Sequence, residues 1–215
     1  MSVSNNGSGM KGLFIPGLFC TSAIWRHAAA RMPDVESIAL DWPAPGVVGS
    51  WDGAADWLQD QLAEHQPDFV AGHSFGGSVA LHLFGRPERT TYPRLILVDS
   101  FMVEPHPVFR NHVWQNRPEL KAELKAMFQQ EKIKHEALGK VATGGDPPQW
   151  RQRALTVQAV HILGGRGGEH SAAHLGQLAG AAPHSERFAV ALTSHFPMLE
   201  APEGFYNTLQ KALKR

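Results

Sequence analysis

The chain has a single cysteine, Cys20, so no intrachain disulfide can form and a small cross-linked scaffold is excluded. One thiol also fits a reducing compartment, and a cytoplasmic location is expected. Neither sign of charge is in excess. Twenty Lys and Arg balance 20 Asp and Glu, and the pI is near 7.2. That leaves no electrostatic footprint for nucleic acid or an anionic membrane. No apolar run approaches bilayer-spanning length. Residues 1–10 are rich in Ser, Asn and Gly and lack a basic start and an apolar centre. They read as a flexible leader and not as a signal or transit peptide. Internal repeats and low-complexity tracts are also missing.

The 215 residues suffice for one domain, spanning 11–215, with a small lid. A chain of this size buries about 70 % of its unfolded surface. Short apolar runs alternate with helical patterns from the start. Gly12–Ile15 reads as a strand stopped by Pro16-Gly17, and Thr21–Arg31 as an alanine-rich helix ended by Pro33. Val35–Leu40 is a second strand. Trp51–Gln66 repeats apolar residues at helical spacing, and Pro67 breaks it. Phe69–Gly72, Arg94–Asp99, Val157–Leu163 and Phe188–Leu192 complete six strands. Ser171–Ala181 and Pro202–Leu213 read as helices. This alternation predicts an α/β fold, a parallel sheet with helices on both faces. It pauses only at about 104–154, where Pro118–Gly139 reads as an amphipathic helix or helix pair. That insertion is too short for its own core and should lie on the sheet domain as a lid.

Gly72-His-Ser-Phe-Gly76 follows the third strand and opens a small-residue helix. In a chain with 21 glycines the pentapeptide alone carries little weight. Its strand-turn-helix setting gives it meaning, because that turn exposes a serine, Ser74, at the top of a sheet. A serine needs a base, and the base an orienting carboxylate. His195, on the loop after the last strand, is the candidate base. Phe75 N–H, at the helix start, and Leu18 N–H, after the first strand, are candidate oxyanion donors. Phe19, Trp42, Phe101 and Met102 are candidate walls of an apolar pocket for a small-molecule substrate. His73 reads as a turn-packing residue, since adjacent strand residues point to opposite faces. Glu169, His170 and His174 have helical metal-ligand spacing, but lack a third strong ligand set, so no metal is expected.

The segments Phe14–Leu18 with Trp25, Gly72–Gly77, Leu95–Asp99 and His195–Phe205 together resemble the α/β-hydrolase superfamily across nearly the whole chain. The resemblance implies a cofactor-free serine hydrolase of esters, thioesters or related acyl bonds. The chain departs from the family at three points. The opening antiparallel hairpin of larger members is missing. Pro16-Gly17 stands for the commoner His-Gly. The turn after the fifth strand reads Gly164-Gly-Arg-Gly-Gly168, where most relatives carry the triad Asp. Asp99, at the end of the fourth strand, is the preferred acid, because some members take it from there. Glu169 is the alternative. Cofactor-free dioxygenases and non-catalytic ligand binders share the scaffold and remain as other readings. Oligomeric state is not legible.

Overall fold

A computed structural model describes residues 9–87, 92–100, 117–144, 157–165, 176, 179–180 and 182–214. Six parallel strands form one sheet in the order β2-β1-β3-β4-β5-β6. They are β1 (Met10–Ile15), β2 (Val35–Ala39), β3 (Phe69–His73), β4 (Arg94–Val98), β5 (Ala159–Gly164) and β6 (Glu186–Val190). Phe14 of β1 lies opposite Ala39 of β2 on one side and Ala71 of β3 on the other.

The central strands β3, β4 and β5 are buried at every position but Arg94, because both faces of the sheet are covered. Leu13, Ile15, Val70, Leu95 and Leu97 join one cluster. Leu58 of α2 (Trp51–His65) and Val79 and Leu83 of α3 (Phe75–Phe84) complete it. The residues between them on the strands, Phe14, Phe69, Ala71, Ile96 and Val98, join the other. There they meet Trp25, and Phe205 and Leu209 of the closing helix. The period of two along each strand thus feeds two cores at once. Each fully buried Leu or Phe contributes about 1.5–3 kcal/mol. The middle strands therefore form a stiff base for the loops at their carboxyl ends.

Local chemistry sets the helix limits. Ser50 Oγ accepts the Gly53 N–H at 3.0 Å and starts α2. Gln66, at φ 48°, takes a left-handed conformation that ends it. The helix predicted over Thr21–Arg31 is instead two pieces, a 3₁₀ turn (Ser22–Trp25) and α1 (Ala28–Arg31). Trp25 turns into the core, with its ring 5.2 Å from that of Phe14. Its burial overrides the alanine propensity. The insertion supplies α4 (Pro118–Lys134) and α5 (Glu136–Thr143), a helix pair that turns at His135. Leu120 and Leu124 bury in the second cluster, and Leu138 and Val141 in the first. Strand β6 starts two residues before the predicted Phe188 and stops at Val190. Leu192 is 74 % exposed at φ 59°, a turn residue. Two short helices close the chain, α6 (Pro197–Glu200) and α7 (Pro202–Leu213), the second within its predicted limits. Met10 belongs to β1 and not to the leader. The predicted helix over 171–181, except its residues 176 and 179–180, and both ends of the insertion lie outside the described residues.

Candidate active site

The chain moves one way from β1 to β2 and the other way from β3 to β6. Loops leaving β1 and β3 therefore part, and open sheets bind ligands at the crevice this leaves. Ser74 stands there, after β3, at φ 51° and ψ −120°. A non-glycine residue holds such a conformation only when its surroundings impose it. The neighbours do so by contact. A Cβ on Gly76 would lie 2.3 Å from the Pro16 carbonyl oxygen, and one on Gly72 would lie 2.5 Å from Gly77 Cα. Both obstacles are backbone and cannot swing away. Gly76→Ala should therefore cost about 1–3 kcal/mol of stability, read from urea unfolding. An unshifted curve would mean that this close packing is not what holds the turn.

Phe75 is the first residue of α3, so its N–H has no partner inside the helix. The second candidate donor, Leu18, sits in a reverse turn. Cys20 N–H donates to Gly17 C=O at 3.1 Å, and Phe19 takes φ 57°, the pattern of a type II turn. The indole Nε1–H of Trp42 donates to the same carbonyl at 2.9 Å. A Cβ on Gly17 would come within 3.3 Å of Ser74 Cβ, so this turn is pressed against the serine. Trp42, expected as a pocket wall, is 4 % exposed. It props the turn, packs 5.5 Å from the Phe75 ring, and lines a cavity of about 260 Å³ beside α5. Phe19 lies under α5, where a Cβ on Gly139 would meet its ring at 2.7 Å. Phe101, Met102 and Glu169 lie outside the described residues.

Asp99 follows β4 at φ 45° and is wholly buried. Its Oδ1 accepts the Gly164 N–H at 3.0 Å, and its Oδ2 lies 3.3 Å from His195 Nδ1. A carboxylate accepts, so Nδ1 carries the proton and the Nε2 lone pair is left for other work. The His195 side chain is 23 % exposed while that of Asp99 is at 0 %. Gly164, the last residue of β5, has a steric role. A Cβ on Gly164 would fall 2.0 Å from Ser194 C=O, so only glycine lets the His195 loop lie against this strand. The end of β5 is taken up by that contact, and the carboxylate that reaches His195 comes from the end of β4.

A carboxylate that sequence reasoning passed over fixes the same loop. Glu200 is 9 % exposed. Its oxygens accept from Ser194 N–H at 3.0 Å, Ser194 Oγ–H at 2.7 Å and Phe196 N–H at 3.0 Å. These bonds bracket His195 on both sides. The signal was available as a lone acid inside Phe196-Pro-Met-Leu-Glu-Ala-Pro202, since acids rarely bury without partners. Arg117, at the foot of α4, donates to Glu200 C=O at 2.8 Å and ties the insertion to this loop.

Cys20 is no rival nucleophile. It is 2 % exposed, and burial pushes its thiol well above the usual range. Among the described residues no group of three or more His, Cys, Asp or Glu could hold a metal ion. Residues 169, 170 and 174 lie outside that set. Likewise, no described helix is long and apolar enough to cross a membrane.

A parallel sheet with a serine at the turn after β3, a histidine after β6 and an intervening insertion is the architecture of the α/β-hydrolase fold. The chain belongs to the alpha/beta hydrolase family, whose model matches residues 13–208. Among individual proteins, it is 33 % identical over 96 residues to lipase LipV of Mycobacterium tuberculosis. That match covers 40 % of this chain and 36 % of the lipase, about a third of the relative's length. Two solved structures share the fold over nearly the whole chain. MenH from S. aureus has a TM-score of 0.72 at 18 % identity, covering 99 % of this chain and 96 % of that one. A thermophilic esterase from Thermogutta terrifontis has a TM-score of 0.75 at 19 % identity, covering 97 % and 90 %.

Proposed function

We propose that the protein is a serine hydrolase that cleaves an ester, thioester or related acyl bond of a small, largely apolar substrate. The observation that carries this reading is the bond of His195 Nδ1 to the buried Asp99 carboxylate, on a loop held beside the Ser74 turn. In this reading Ser74 Oγ attacks the acyl carbonyl and its proton passes to His195 Nε2. The oxyanion is held by the N–H groups of Phe75 and Leu18, each worth roughly 3 kcal/mol of barrier. His195 then protonates the leaving alcohol or thiol, and a covalent acyl-Ser74 remains. Water, deprotonated by His195, releases the acid and restores the serine. Asp99 keeps the ring in the required tautomer and stabilises the imidazolium. No metal or cofactor is needed for any step.

The apolar preference rests on the rings around the base. Phe196 lies 5.1 Å from the His195 ring, and Phe128 of α4 lies 6.0 Å from Phe196. A cytoplasmic setting belongs to the same reading, given one buried cysteine and no disulfide. The test is rapid mixing with p-nitrophenyl acetate and butyrate. With these activated esters, whose acylation step is fast, slower hydrolysis of the acyl-enzyme gives a burst of p-nitrophenol near one equivalent per chain, with turnover faster for butyrate. No release above buffer, or turnover of both esters undiminished in Ser74→Ala, would end this reading.

A further inference from the structure

His73 is the residue before Ser74, at the end of β3, and is fully buried. Its Nε2 lies 2.7 Å from the main-chain oxygen of His195. A carbonyl can only accept, so Nε2 carries the proton. The other ring nitrogen, Nδ1, has no hydrogen-bond partner among the described residues. It faces the turn after β1, where a Cβ on Gly17 would lie 2.7 Å from it. The ring is 4.7 Å from that of His195 and 4.8 Å from that of Phe196. One side chain therefore touches the base loop and the turn that bears Leu18, and it is covalently next to the nucleophile.

We propose that His73 is a positioning residue whose Nε2–H clamps the His195 main chain to the strand carrying Ser74. This rests on the reading of Ser74 and His195 as nucleophile and base. The strand that sets the serine and the loop that sets the base are 122 residues apart, and this bond joins them directly. The bonds from Glu200 fix the shape of the loop, whereas the bond from His73 fixes its distance from Ser74. Burial, and then the charge His195 can carry, hold the His73 imidazole well below its ordinary range. It stays neutral when His195 takes up a proton, so the clamp adds no opposing charge beside the imidazolium.

The test compares His73→Leu with His73→Gln, whose amide N–H can stand where Nε2–H stood. Each is assayed for kcat and KM on p-nitrophenyl butyrate and for hydrogen exchange at Ser194 to Phe196. A base displaced by about an ångström costs on the order of 100-fold. His73→Leu should lose about that in kcat with KM within about threefold of wild type, and exchange at Phe196 N–H should rise about tenfold. His73→Gln should recover most of kcat and most of the protection. Equal losses in both variants, or a Leu variant whose loop stays protected, would overturn the proposal. Should the wild type turn over no ester, the hydrolase reading fails on its own, and the exchange comparison still decides the clamp.

Discussion

Ser74→Ala is expected to lower kcat for p-nitrophenyl butyrate by roughly a million-fold, the scale on which loss of a serine nucleophile is felt. The expectation follows from how little around Ser74 could replace it. Ser100 Oγ–H donates to Gly72 C=O at 3.1 Å, and Ser78 Oγ–H to Ser74 C=O at 3.4 Å. Cys20 is buried, with its thiol proton held by burial. KM should change little, since a methyl-sized side chain keeps the pocket shape and only the reacting oxygen is gone. The variant should also melt at or above the wild-type temperature, because a strained functional residue gives up nothing to stability. More than a hundredth of wild-type kcat in this variant would show that the reaction does not pass through Ser74.

Asp99→Asn carries the next largest effect, about 10⁴-fold in kcat. The geometry explains its size. The Gly164 N–H needs an acceptor and meets Asp99 Oδ1 at 3.0 Å. Asparagine would keep its carbonyl there and turn its NH₂ toward His195. The ring must then accept at Nδ1 and carry its proton on Nε2, so the lone pair that takes the serine proton is lost. Glu169→Gln provides the comparison and should stay within a few-fold of wild type in kcat. A larger loss in the Glu169 variant than in Asp99→Asn would assign the acid to the glycine loop instead.

The strand-turn-helix at Gly72–Gly76 was legible in the sequence because three local rules agree there: an apolar run, small residues at the turn and a helix pattern after it. The six-strand sheet was legible for a similar reason, since strands covered on both faces read as unbroken apolar runs. Long-range bonds were not legible. Nothing local to His73 says that its ring reaches a carbonyl 122 residues away, and it read as simple turn packing. Glu200 was passed over, although its carboxylate holds the loop of His195 on both sides. The break between Ser22–Trp25 and Ala28–Arg31 was missed because propensity favours one helix, while Trp25 gains more by entering the core. The stretch from Gly164 to Gly168 read as the place where an acid is lacking. The contact of Gly164 with Ser194 shows what glycine does there.

The most direct measurement is covalent labelling with a fluorophosphonate followed by peptide mass spectrometry. A nucleophilic Ser74 activated by His195 requires one adduct per chain, on the peptide containing Ser74, and its loss in both Ser74→Ala and His195→Ala. A wild-type chain that stays unlabelled, or that carries its adduct on any other residue, would contradict it.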